Sequence, residues 1–500
     1  MTMQNVCDVL ITEAAGVVIP KVGIIQANIL IEDGKIKDFA KSVDNIQASK
    51  IINANGKYIL PGVIDPHVHY GVFTPIEQAA KTESRSAAVG GVTTMMRMVR
   101  LSNSYHKIID HLKASKNTHY IDYSIHASIL STTQLAELPF LKEKVGISSF
   151  KIYMNLGADL NHIFADLDPG TYDIKECEIN MTEAFVSSII QEASKGGSST
   201  ILIHAEDPAL CSKYSHEAKK GKRDNRENKV AEQRLAEIKP CIKTLEEWSN
   251  SRPPISEVQS ISNAAEHARK YHANVYFVHI GSTLALDAIL LEKVKGHCNL
   301  YIETCPHYLT HTTDFNDIRG KVIPPLRSKS DVQSIWSALE NGVIDTLGTD
   351  HVANRMSMKL GDGDIWSALA GFPGLATMLP VLLSNGVNEG RISIERLSEV
   401  TSYNTARIFN LYPRKGTINK GSDADLSIVD LNLEQKVTPE LLQSYADYTI
   451  YDGMKMRGWP VLTMVRGEVI MEDGLVYDNM MGHGEFVASP QGSSKNLSSN

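Results

Sequence analysis

The chain has 500 residues, 42% of them hydrophobic and 22% charged, with a formal net charge of -8 at pH 7. That length buries a large core and accommodates an enzyme domain with an accessory one, while the acidic balance and a pI near 6.1 offer nothing to a nucleic-acid backbone. No apolar run reaches the roughly 20 residues a bilayer span requires, and MTMQNVCDVL lacks the basic-then-apolar pattern of a secretory signal.

Short strands punctuated by DG and NG turns fill the first 57 residues: VCDVLITEA, QANILIEDGKIKDFA and KIINANGKYIL. The same texture returns in KGSDADLSIVDLN (420–432) and MVRGEVIMEDGLVY (464–477). Neither end has enough strands to close a core, so residues 1–57 and 418–480 are expected to pair into one small β-sandwich. Between them, apolar runs alternate with helical stretches such as 74–90 and 256–271. The runs are 58–64, 91–99, 121–127, 147–154, 200–206, 274–280, 299–304 and 344–350. Eight such units imply an α/β chain with a (β/α)8 TIM-type barrel over 58–417. A doubly wound sheet is disfavoured because no glycine-rich phosphate loop follows the first strand. EAKKGKRDNRENK (217–229) reads as a solvated face, SYNTARIFNLYP (402–413) as a helix returning the chain to the sandwich, and 481–500 as a disordered tail. Cys7, Cys177, Cys211, Cys241, Cys298 and Cys305 show no CxxC, the usage of reduced thiols in a cytoplasmic protein.

The unusual polar residues fall at C-terminal strand ends, where barrel active sites assemble. They are His67 and His69 in DPHVH, Lys151, His204, His279 and Asp350, with His351 next to it. Residues i and i+2 of an extended chain face the same side, so His67 and His69 can reach one ion, and Asp350 can add a carboxylate from across the barrel mouth. Lys151 interrupts a strand that should be buried, in SSFKIYMN. It is a snorkelling rim lysine, a lysine of lowered pKa, or a carbamate made with carbon dioxide.

PGVIDPHVH, FKIYM, ILIHAED, VYFVHIGS, ETCPHYLT, PPLR and GTDH occur in the order seen in metal-dependent cyclic amidohydrolases. From about residue 4 to 485 the chain resembles the dihydropyrimidinase/hydantoinase, allantoinase and dihydroorotase group. The resemblance implies two divalent metal ions, zinc first among the choices. His67, His69 and Asp350 would hold the more buried one, His204 and His279 the second, and carboxylated Lys151 would bridge them. It further implies hydrolysis of a cyclic amide or ureide C–N bond by a metal-bridging hydroxide, Asp350 as the proton carrier, and a homotetramer or homodimer. The alternatives are an allantoinase, favoured by ETCPHYLT, and a non-catalytic dihydropyrimidinase-related interaction protein, disfavoured because all six ligand positions are filled.

The substrate side departs from the pattern. Gly71 stands where dihydroorotase-like enzymes place a carboxylate-binding arginine, Leu156 where dihydropyrimidinases place an oxyanion tyrosine, and Ala370 where they place a ring-contacting asparagine. Tyr153 or Asn155 is the candidate replacement, and His307 a candidate substrate contact. Arg97 in MMRMVR is a further candidate, facing the pocket if Met96 and Met98 do not. Pro324 and Pro325 stiffen the loop that would close over substrate, and Arg327 is expected to tie that loop down.

Overall fold

The computed structural model describes residues 5–226 and 244–489, so part of the lysine-rich stretch 217–229, Cys241 and residues 490–500 lie outside the described residues. At its centre is a parallel sheet of Val63–His69, Val92–Val99, Asp122–Ser128, Ser149–Tyr153, Thr200–His204, Asn274–Phe277, Asn299–Thr304 and Thr346–Leu347. A last piece, His351–Val352, pairs back onto Val63–His69 through His351↔Val68, while Thr346 pairs with Glu303. One chain segment thus joins both edges of the sheet and closes it. A closed parallel sheet is covered on both faces, so its strands are apolar throughout. Ile64, Met96, Met98, Leu202, Tyr276 and Val278 fill the interior. Met95, Val99, Ile125, Phe150, Ile152, Ile201 and Ile203 pack under the helices. Helices Ile76–Val89 and Pro254–Tyr271 match the helical stretches expected there.

Three local expectations change. The run 58–64 divides: Tyr58–Pro61 pairs with Leu426–Val429 in another sheet, and the barrel starts at Val63. The division falls at Gly62, where an added Cβ would strike the Thr93 side chain, so the chain turns from one sheet into the other at its tightest approach. The eighth strand is broken rather than continuous over 344–350: it pairs at Thr346–Leu347, leaves the ladder at Gly348 and resumes at His351 after Asp350 turns at φ +51. Residues 481–489 are packed, not a disordered tail. Tyr123 N–H donates to Glu485 O (3.0 Å), Val487 N–H to Tyr123 O (2.8 Å) and Ser489 N–H to Gly146 O (2.9 Å). Val487 is buried in the interior cluster. Phe486 packs against the outer core cluster and Val487 enters the interior one, so it is the polar run from Ser489 onward that gives the tail its texture.

The two chain ends meet in a seven-stranded sheet ordered Leu475–Val476, Glu468–Glu472, Lys455–Val465, Leu426–Lys436, Tyr58–Pro61, Gly16–Ile19, Gly23–Ile25. A four-stranded sheet of Lys35–Ala40, Asn28–Glu32, Asn5–Thr12 and Ile46–Asn53 shares one apolar cluster with it, including Val9, Ile31, Ile59, Leu426 and Met464. These sheets are tied to the barrel by buried charge. The Lys415 ammonium contacts Asp425 (2.6 Å), Asp423 (3.0 Å) and Asp122 at the start of the third barrel strand, and Arg466 also pairs with Asp122. The three aspartates lie close enough to hold a cation, and Lys415 supplies it.

Candidate metal centre and its cavity

His67 and His69 end the first barrel strand and point the same way: each Nε2 lies 3.1 Å from Asp350 Oδ1. Ligands held at about 2.1 Å from one ion, 90–110° apart, lie roughly 3.0–3.4 Å from each other, so this spacing fits a shared divalent cation. The ring nitrogens are assigned by their outer partners. His67 Nδ1–H donates to Glu303 Oε1 (2.8 Å), leaving Nε2 as the donor atom; His204 Nε2–H donates to Glu206 Oε2 (2.6 Å), leaving Nδ1. Burial lowers His67 to about 3 and His69 and His279 well below the usual imidazole range, so all three are neutral, the form that binds metal.

His279, at φ +45, lies just past its strand, stacked on His67 (5.5 Å between centroids) and edge-on to His204 (4.5 Å). Its Nδ1, His69 Nδ1 and Lys151 Nζ are buried without hydrogen-bond partners among the described residues. Lys151 is fully buried, and that burial lowers its ammonium to about 7. Such unpaired polar atoms in one buried pocket are costly unless something else engages them.

The six candidate ligands line one cavity of about 300 Å³. Tyr153, Asn155, Leu156 and Ala370 also line it, with Tyr153 Oη and Asn155 Oδ1 buried and unpartnered. Tyr153 shares the Lys151 face, as period two requires. His307 does not line the cavity; its ring rests edge-on against Phe372, 5.0 Å between centroids. Arg97 is a correction. Met96 and Met98 take the interior, so Arg97 faces the helical layer, where its Nε–H donates to Tyr70 O (2.8 Å) and Nη2 lies 3.4 Å from Asp166. Arg100, beyond the strand end, is the arginine that reaches the cavity. Arg327 ties loops together, donating to Glu257 (2.7 Å) and Arg252 O (2.8 Å).

Several contributors were not among the candidate site residues read from the sequence. Glu303 accepts from His67, from the His279 backbone N–H (2.9 Å) and from Tyr276 Oη–H (2.9 Å). Burial pushes it up to about 8, a carboxyl poised to ionise beside a cation. Gly348 leaves room for it: a Cβ there would lie 2.7 Å from Glu303 Oε2 and 2.8 Å from His67 Cβ. Asp65 accepts from the His67 N–H (3.0 Å) and from Thr349 Oγ1–H (2.6 Å), locking the first strand to the residue before Asp350. Glu206 is held by Arg252 (2.9 and 3.1 Å). A hairpin of His162–Ala165 and Lys175–Glu178 roofs the cavity with His162, Ile163 and Phe164. Its signal was the PG turn at 169–170 between two short alternating runs.

The family model described as "Amidohydrolase family" matches residues 58–470. This chain belongs to the amidohydrolase family. Its matched segment contains every candidate ligand. The amidohydrolase is 32% identical to an L-hydantoinase of Paenarthrobacter aurescens over 483 residues, 93% of this chain and 95% of that one. It is 29% identical to a D-hydantoinase of Geobacillus stearothermophilus over 489 residues, 94% and 95% of the two chains. The solved L-hydantoinase (dihydropyrimidinase) of Arthrobacter aurescens superposes with a TM-score of 0.82 at 31% identity, covering 96% of this chain and all of that one. In this amidohydrolase, Glu303→Gln should cost about 10- to 100-fold in metal affinity or turnover, because the His67 ring loses a carboxyl partner able to ionise when a cation binds. Metal content after gel filtration, measured beside kcat, checks this; unchanged values would remove Glu303 from the site.

Proposed function

We propose that this amidohydrolase opens a cyclic amide or ureide ring of the hydantoin or dihydropyrimidine class by metal-dependent hydrolysis. The observation that carries the reading is the convergence of His67, His69 and Asp350 ligand atoms within 4.8 Å, with Lys151, His204 and His279 lining the same cavity. The names of the relatives agree with it. His67, His69 and Asp350 would hold one divalent ion, zinc by preference for imidazole and carboxylate, and His204 and His279 a second. Carboxylated Lys151 would bridge them. When bound, the pair supplies Lewis acidity toward the ring carbonyl and lowers the pKa of water.

The chain's own residues do the rest. Asp350 takes the proton of the attacking water on one carboxylate oxygen and delivers it to the leaving ring nitrogen, so water divides across the broken C–N bond. Tyr153 Oη–H, which lines the cavity beside Lys151, donates to the oxygen where charge develops, the place Leu156 cannot fill. Asn155 takes the ring-contacting part that Ala370 has lost. Phe73 and Phe164, 5.5 Å apart between centroids, wall off solvent.

We also read the four- and seven-stranded sheets as one β-sandwich domain, its first boundary moved from residue 57 to Pro61 because Tyr58–Pro61 pairs in the seven-stranded sheet and its second part kept at 418–480, beside a hydrolase barrel running from Val63 to 417; their shared core supports this. The described cysteines are all free, in keeping with a cytoplasmic protein, and among the described residues no helix is long and apolar enough to cross a membrane. Exposed Leu284, Leu291 and Val294 on helix Thr283–Val294 form an apolar stripe suited to a second copy in a homodimer or homotetramer.

An initial-rate panel tests the reading: hydantoin, dihydrouracil, allantoin, dihydroorotate and succinimide, with enzyme prepared in zinc and bicarbonate. The expected result is turnover of hydantoin or dihydrouracil rings. Turnover of allantoin alone would favour allantoinase, and a fully metallated protein inert on every ring would favour the interaction protein.

A further inference from the structure

Arg100 follows the second barrel strand at the catalytic end, and it lines the cavity. Its surroundings are short of negative charge. Among the described residues lining the cavity, Asp350 is the one carboxylate, and it belongs to the ligand set. The neighbouring Asp166 turns its Oδ2 to the Arg100 backbone N–H (2.7 Å) and to Arg97 Nη2 (3.4 Å), and its Oδ1 is buried without a hydrogen-bond partner, so it does not bond the Arg100 guanidinium. No carboxylate among the described residues pairs with the Arg100 guanidinium, and its Nε–H is buried without a hydrogen-bond partner. The cavity's other cation outside the ligand set, Lys321, is committed elsewhere. Its Nζ donates to Ala368 O (2.6 Å) and sits 4.3 Å over the Trp248 ring. Phe73, Ile163 and Phe164 supply apolar wall in the same cavity.

A guanidinium left without a counter-ion beside an apolar wall is a fork awaiting a planar anion on a hydrocarbon stem. Resting on the ring-hydrolase reading above, we propose that the ring substrate carries a carboxylate on its substituent and that Arg100 binds it, fixing the ring against Asp350. Arg100 lines the same cavity as His69, Lys151 and Tyr153, so it lies within reach of a molecule bound at the metal centre. Arg100 is half-buried, and a neutral ring would leave its Nε–H without the partner that a carboxylate arm supplies.

The test compares kcat/KM for a hydantoin bearing a propionate arm with that for its side-chain primary amide, which has nearly the same shape without the charge. Wild-type enzyme should prefer the acid by roughly 10- to 100-fold, the range of a charged hydrogen bond, with the preference shrinking as salt rises. In Arg100→Gln the ratio of acid to amide should fall to about unity. Arg100→Lys, which keeps the charge and loses the fork, should hold an intermediate ratio. Because each variant is read as a ratio of two substrates, a general loss of activity does not imitate the result. Equal wild-type rates for acid and amide, or a preference that survives Arg100→Gln, overturns the assignment of Arg100 while leaving ring hydrolysis standing. Failure to open either ring or any neutral ring overturns the hydrolase reading itself.

Discussion

Asp350→Asn is expected to lower kcat by roughly 10²- to 10⁴-fold, the usual worth of a positioned proton carrier, with a much smaller change in KM. The asparagine keeps size and shape but can neither accept the proton of the attacking water nor hand it to the leaving nitrogen. The backbone around it is held independently of its charge. Asp65 bonds Thr349 on one side (2.6 Å), and on the other His351 accepts the Gly374 N–H (3.0 Å) and pairs with Glu83 (2.9 Å). The substitution therefore leaves the φ +51 turn in place, a conformation asparagine also tolerates. Because Oδ1 also approaches His67 and His69 at 3.1 Å, metal binding should weaken as well, so rates are measured at saturating zinc. A variant within tenfold of wild type under those conditions would assign the proton transfer to another group.

How much of this was legible in the sequence depends on the range of the physics. DPHVH and FKIYM could be read locally, because period two places His67 beside His69 and Lys151 beside Tyr153 whatever the rest of the chain does. Barrel topology put their strand ends on one face, which is why His204, His279 and Asp350 could be proposed with them. Glu303 was invisible for the opposite reason: its bond to His67 spans 236 residues and exists only after the barrel closes. Arg97 and Arg100 show where alternation fails. Periodicity alone left two registers for MMRMVR, and packing of Met96 and Met98 in the interior chose the one that turns Arg97 outward. Arg100 lies past Val99, where the strand ends and alternation no longer says where a side chain goes. The same holds for Asp350, which turns at φ +51 in a run that its apolar texture presented as continuous. In the segment 481–489 the apolar pair Phe486 and Val487 packs onto the core, a signal overshadowed by the polar run that follows it.

Lys151 carries the second large effect. A buried ammonium with no hydrogen-bond partner is unfavourable, and burial brings it to about 7, where a substantial neutral fraction exists at pH 7. The neutral amine can add to carbon dioxide, forming a C–N bond and releasing one proton, and the resulting carbamate offers two oxygens where the ammonium offered none. His204 and His279 would then have the anionic co-ligand that two neutral imidazoles need to retain a dication. Lys151→Met, similar in length and unable to form a carbamate, should lower kcat/KM by roughly 10³-fold or more, as expected when the nucleophile-generating site is lost. The most direct measurement is zinc uptake and hydantoin turnover by chelator-stripped enzyme, titrated in carbon-dioxide-free buffer and again with bicarbonate. The expected result is a second equivalent of zinc and full turnover in wild type only when bicarbonate is present, and neither in Lys151→Met under any condition. Equal zinc uptake and equal turnover with and without bicarbonate, shared by the methionine variant, would contradict the bridged centre on which the proposed chemistry stands.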